Sequence, residues 1–130
     1  MKVVVDTSAI VAVIANEPEK ASLIELTRGM DLIAPHSVHW EIGNAFSSML
    51  KRKRIPFEKA LEALGVYAKI SIEYVDVEID QSLKISDELG VYAYDAYIIR
   101  CAHKYRSPLV SLDRILIEKA TGMGIHVMEV

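Results

Sequence analysis

The sequence predicts an α/β fold: a three-layer sandwich in which a mostly parallel five-stranded sheet carries helices on both faces, within a single domain spanning residues 1–130. Three observations lead there. Apolar runs of strand length recur at 2–6, 31–34, 72–75, 109–112 and 125–128. Helical periodicity fills the intervals between them. Strands that alternate with helices pair in parallel, and a parallel sheet needs both faces covered.

The first run, Val3 to Val5, ends on a carboxylate, Asp6, followed by the hydroxyls of Thr7 and Ser8. Helices are expected at 8–15 and 18–28, with Pro18 at a first helical position, where its missing N–H costs nothing. Further helices are expected at 37–53, 56–70, 78–89, 93–105 and 113–121, and the "TGMG" of 121–124 supplies a glycine stop before the last strand. Asp6 has two readings. It caps the helix that follows, as Asp does well, or it faces a site at the carboxyl end of the sheet, where open α/β folds keep their chemistry.

Composition narrows the class. A chain of 130 residues holds one domain with a proper core. Its hydrophobic share of 52% is high for a small soluble monomer, so some apolar surface is expected to be covered by a partner or a second copy. The longest apolar stretch, Ala9 to Ala15, is too short to span a bilayer, and Asp6 interrupts any signal-peptide core, so neither membrane insertion nor export is expected. One cysteine, Cys101, rules out an internal disulfide framework and suits a reducing cytoplasm. Asn16, Asn44 and Gln81 are the only side-chain amides, a scarcity shared with heat-adapted proteins. The net charge of −3 argues against nucleic-acid binding, but setting four acids aside as metal ligands leaves 14 acidic against 15 basic residues.

Those four acids follow from the pattern. In "YDAYIIRCAHKY", 94–105, Ile98, Ile99, Cys101, Ala102 and Tyr105 form one apolar stripe, and Asp95 falls inside it. A carboxylate aimed at a core is costly unless paired or holding a metal. In "SVHWEIGNAFSSML", 37–50, Glu41 borders the face made by Val38, Ile42, Ala45, Phe46 and Met49, with Asn44 one turn on beside it. Asp113, in "PLVSLDRILIEKA", repeats the opening: apolar strand, hydroxyl Ser111, acid at the strand tip, then helix. Caps and solvated positions explain each acid singly; all four together are better explained by one site. Clustered carboxylates persist where a hard divalent cation holds them, and an all-oxygen set suits Mg²⁺ or Mn²⁺, which bind substrate phosphates. Such a cation activates water and neutralises charge in phosphodiester hydrolysis. Without the cation, repulsion is expected to raise some of these acids' pKa values, and neutralising one, as in Asp6→Asn, is expected to stabilise the metal-free fold.

With these residues assembled, the chain resembles the PIN-domain nucleases, most closely the VapC-type toxins of toxin–antitoxin pairs. The motifs are the opening "VVDTSAI", the "WEIGNAF" helix, "YDAYIIRCA", and "LVSLD" before a last helix and strand, in that order along the whole chain. The resemblance implies a PIN-like sandwich and a Mg²⁺- or Mn²⁺-dependent endoribonuclease that hydrolyses RNA with a metal-activated water and no covalent enzyme intermediate. It implies Asp6, Glu41, Asp95 and Asp113 as catalytic, metal-binding acids, with Ser111, Thr7 and Ser8 in support. It also implies a homodimer, a VapB-type antitoxin seated in the active-site groove, and operator DNA contacted only through that antitoxin.

Other signals carry less. "KRKR", 51–54, reads as a solvated helix end. His36, His39, His103 and His126 lack zinc spacing. Tyr92, Tyr94 and Tyr97 read as core or interface residues rather than base-stacking ones. An aspartyl-phosphate phosphatase wants a second acid two residues after Asp6, where Ser8 stands, and a receiver domain wants an acid pair after the first strand. The remaining rival is a non-toxin PIN-domain RNA-processing or RNA-binding module with little cleavage activity of its own.

Overall fold

The computed structural model describes residues 1–130. In chain order the elements are β1 (Lys2–Val5), α1 (Thr7–Ile14), α2 (Lys20–Leu26), β2 (Asp31–Pro35), α3 (Ser37–Lys51), α4 (Phe57–Tyr67), β3 (Ile72–Val75), α5 (Ile79–Leu89), α6 (Ala93–Lys104), β4 (Leu109–Val110) and α7 (Arg114–Gly122). The strands pair in parallel in the order β3-β2-β1-β4. Val3, Val4 and Val5 of β1 are all buried, which requires cover on both faces of the sheet. α1 packs against α2, α3 and α4, while α6 lies across β1 and β2 with α5 against it. One contiguous apolar core joins these layers, from Val3 through Ile42 and Ile99 to Leu116.

The fold class is as expected, and the strand count differs. Four strands form the sheet instead of five. Residues 125–128 make only a single parallel bridge, Val127 to Leu109, closed by hydrogen bonds from Leu109 N to His126 O and from Met128 N to Leu109 O. The cause lies in β4, which is two residues long. Pro108 precedes it without an N–H, and Ser111 to Asp113 turn away to start α7, so little backbone is left for a fifth strand to pair with. The second helix also begins later than expected. Pro18 lies in a turn, and α2 starts at Lys20. The glycine stop holds at Gly124, whose φ of 80° lets the chain reverse after α7.

The topology positions the site. From β1 the chain steps outward through β2 and β3 on one side, then returns to lay β4 on the other side of β1. The strand order therefore reverses between β1 and β4. At such a switch point the loops leaving the carboxyl ends diverge and open a crevice. Asp6 leaves the end of β1 and Asp113 follows the end of β4, so both stand at its mouth.

Candidate active site

Both readings of Asp6 hold at once. It is the N-cap of α1, accepting from Ala9 N at 3.1 Å, and its side chain also faces the crevice. Two hydroxyls complete its surroundings. Ser111 Oγ donates to Oδ2 at 2.7 Å, and Ser8 Oγ lies 2.8 Å and 2.9 Å from the two carboxylate oxygens. Each hydroxyl has one proton, spent on Asp6, and each accepts a backbone N–H in return: Leu112 N to Ser8 Oγ at 2.9 Å, and Asp113 N to Ser111 Oγ at 3.0 Å. The network ties the tip of β1 to the tip of β4 and fixes the Asp6 carboxylate. Asp113 caps α7 in the same manner, with Oδ1 accepting from Ile115 N and Leu116 N at 3.0 Å and 3.2 Å.

Asp6, Glu41, Asp95 and Asp113 line one cleft of about 470 Å³, together with Thr7 and Ser8. These acids come from four separate segments of the chain. Two further acids, Glu17 and Glu19 in the turn between α1 and α2, line it as well and were not singled out from the sequence. No periodicity marks a turn, so the only available signal was the "NEPE" clustering of charge after a short helix. No Lys or Arg lines the cleft. Asn44 is exposed and stands near Glu41, with which it lines an adjoining cavity that shares Glu41 and Thr7 with the cleft. Asn44 and Glu41 stand three residues apart on one helix, which brings them to neighbouring rather than identical directions.

The electrostatics bind the four acids together. Burial is the main force raising the pKa of Asp6, opposed by Ser111, Ala9 and Ser8, and Asp113 adds repulsion. Burial pushes the Glu41 carboxyl up to about 7, with further repulsion from Asp6 and Asp95. Asp95 is raised by burial and then by Asp113. The hydroxyls of Thr7 and Ser37 pull Glu41 the other way, yet Thr7 Oγ1, Ser37 Oγ and Glu41 Oε1 are all buried without a hydrogen-bond partner. Glu19 Oε2 is a fourth such oxygen. No three His, Cys, Asp or Glu side chains are already gathered at metal-ligating distance. The donor set nevertheless fits a hard cation. It is all oxygen, carries excess negative charge and leaves buried oxygens unpartnered, and a cleft of this size admits the waters that Mg²⁺ retains.

Other groups lie elsewhere. His36 pairs with Asp76 at 3.1 Å, and His39 Nδ1 lies 2.8 Å from the Tyr67 hydroxyl. Lys51 to Arg54 are exposed at the far end of α3. Cys101 is buried, its thiol pushed up to about 12 by burial. A second cavity of about 230 Å³ beneath α1 and α2 is lined mainly by apolar residues such as Val5, Ile10 and Leu23, and carries no acid. Tyr92 and Tyr94 are exposed, so neither belongs to the core of this chain.

Fold and cleft together define an α/β protein with an acidic site at the switch point of a parallel sheet. The chain belongs to the PIN domain family, whose sequence profile matches residues 3–122. PIN domains are generally nucleases, hence hydrolases, and generally use divalent metal ions. The chain is similar to the crystal structure of PAE2754 from Pyrobaculum aerophilum, at 25% identity and a TM-score of 0.73, over 94% of this chain and 81% of that one. It also shares its fold with a PilT N-terminus domain protein, SSO1118 from Sulfolobus solfataricus, at 13% identity and a TM-score of 0.51, over 98% and 86% of the two chains. No curated protein matches it by sequence. No helix is long and apolar enough to cross a membrane.

Proposed function

We propose that this protein is a Mg²⁺- or Mn²⁺-dependent endoribonuclease acting as the VapC-type toxin of a toxin–antitoxin pair. The observation that carries the reading is the convergence of Asp6, Glu41, Asp95 and Asp113 on one cleft, lined by no Lys or Arg, at the sheet's switch point. An anionic RNA strand is repelled by such a cleft unless a cation intervenes. These four acids would hold the ion. When bound, the divalent cation supplies activation of water and neutralisation of charge on the phosphate.

The chain's own residues have distinct parts. Asp6 would be a fixed ligand, because the hydrogen bonds it accepts from Ser8, Ser111 and the Ala9 N–H hold it in one orientation. Glu41, raised to about 7 in the metal-free cleft, would give up its proton when the cation binds, so cation binding there is coupled to proton release near neutral pH. Thr7 and Ser37 flank Glu41, while Asp95, in the first turn of α6, and Asp113 line the same cleft. Two features support partners. Phe57, Leu61 and Leu64 make an exposed apolar row on α4, and Ile79 and Leu83 a second on α5. They suit a homodimer and a VapB-type antitoxin, through which alone operator DNA is contacted, in a cytoplasmic setting.

The test is cleavage of RNA in Mg²⁺ or Mn²⁺, its loss in EDTA, and its loss in Asp95→Asn with an unchanged circular dichroism spectrum. Cleavage that persists in that variant at equal metal removes Asp95 from the site. Binding without cleavage supports the RNA-binding module instead. Mapping 5′ ends in total RNA after induction identifies the cut.

A further inference from the structure

We propose that Trp40 and Tyr94 form a nucleobase-stacking subsite beside the acidic cleft, which grips one unpaired base of the substrate next to the scissile phosphate. The inference rests on the nuclease reading above and adds the residues that position the substrate. Trp40 is 75% exposed and Tyr94 is 58% exposed. A Trp is among the most buried residue types on average, so an indole left in water asks for an occupant.

Neither ring is loose. His39 packs edge-on against Trp40 with centroids 4.9 Å apart, and Tyr97 packs edge-on against Tyr94 at 6.1 Å. Trp40 is the fourth residue of α3 and immediately precedes Glu41, while Tyr94 immediately precedes Asp95 in the first turn of α6. Two aromatic side chains therefore adjoin two of the four acids. Both line a cavity of about 590 Å³, whose size is in the range of small-molecule sites.

The lining of that cavity suits a base. Ala45 offers an apolar surface, and the Asn44 amide offers both a donor and an acceptor for a base edge. Ser37 Oγ, also at the wall, is buried without a partner. No Lys or Arg lines the cavity, so it is not built for phosphate. It shares Thr7, Glu41, Ala45 and Tyr94 with the acidic cleft. A base stacked there places its own backbone at the edge of the cleft. Bases in an A-form duplex are already stacked on one another and cannot enter, which selects unpaired RNA.

Trp40 is the only tryptophan, so its fluorescence reports on this subsite directly. The probes are a single-stranded RNA decamer, the same decamer in duplex with its complement, and an abasic sugar–phosphate decamer, each added to the full chain with Ca²⁺ in place of Mg²⁺. Quenching is expected from the single strand alone. Anisotropy of a dye-labelled decamer should show about tenfold weaker binding to Trp40→Ala, with Trp40→Phe recovering most of the loss. Equal quenching by the abasic strand overturns the proposal, and so does affinity unchanged in Trp40→Ala. Emission that follows protein concentration and ignores RNA also overturns it, assigning Trp40 to a contact between copies. The two readings fail separately. Quenching without cleavage in Mg²⁺ or Mn²⁺ refutes the nuclease and keeps the subsite; cleavage without quenching does the reverse.

Discussion

Replacing Glu41 by glutamine keeps the shape of the side chain and removes its charge from the cleft. In the metal-free protein the Glu41 carboxyl is raised from 4.5 to about 7, first by burial and then by Asp6 and Asp95. The folded chain therefore binds this proton more tightly than the unfolded chain. Where the folded state holds more protons, stability falls as pH rises. The wild type thus loses stability between about pH 4.5 and pH 7, and the loss is complete above that window. A shift of this size corresponds to a ceiling of about 3 kcal/mol. Glu41 is partly exposed, so solvent screening brings the expected gain in Glu41→Gln to about 1–2 kcal/mol above neutral pH. For a chain of this length that is a rise in Tm of about 3–8 °C. Glu41 is a cleaner position than Asp6 for relieving the repulsion. Three donors converge on Asp6, whereas Oε1 of Glu41 has no partner to lose. Thermal melts of both proteins in EDTA, at about pH 4.5 and about pH 8, measure the effect. The two should melt together in acid and separate in base. A gain of equal size at both pH values would come from packing, and would refute the electrostatic account.

Excess Mg²⁺ should raise the Tm of the wild type more than that of Glu41→Gln, with a ceiling near RT ln(1 + [L]/Kd), about 2.7 kcal/mol at a hundredfold excess over Kd; equal shifts in the same melts argue against a shared four-acid site. Ser111→Ala leaves Asp6 Oδ2 and the Asp113 N–H each short of a partner, and should cost about 1–3 kcal/mol in urea unfolding with the m-value unchanged. Glu78, at the start of α5, is held down to about 2 by Lys104 and Arg100 of α6. Its lowered value adds stability above its ordinary range that is lost as pH falls toward 2, so Glu78→Gln should lower Tm at neutral pH and leave it unchanged in strong acid. Light scattering at micromolar concentration should show a dimer, the state that covers the exposed rows of α4 and α5.

Periodicity along single elements made the fold class and the four acids legible. The stripe of Ile98, Ile99, Cys101 and Ala102 is buried on α6, and Asp95 beside it reaches the cleft as its direction required. The repeated strand–hydroxyl–acid pattern at Asp6 and Asp113 gave two caps that also line one site. Less was legible where partners, not propensities, decide. The run at 125–128 has strand character but meets a two-residue β4, so it makes one bridge. Glu17 and Glu19 lie in a turn without a period to point them anywhere. Tyr94 read as a buried or interface aromatic by its spacing from Ile98 and Cys101, and stands exposed because it lies in the first turn of α6, where it lines the cleft.

By itself the sequence determined which side chains carry charge, which faces of the helices are apolar and where the chain changes from strand to helix, because these depend on residues a few positions apart. Only the tertiary structure decided that β4 returns beside β1 and reverses the strand order there. That step brings Ser111 within 2.7 Å of Asp6, across a separation of 105 residues. Tertiary packing likewise buries Glu41 and sets it near Asp6 and Asp95, which lifts it to about 7. Desolvation and Coulomb interaction act through space rather than along the chain, so no local pattern could have set them.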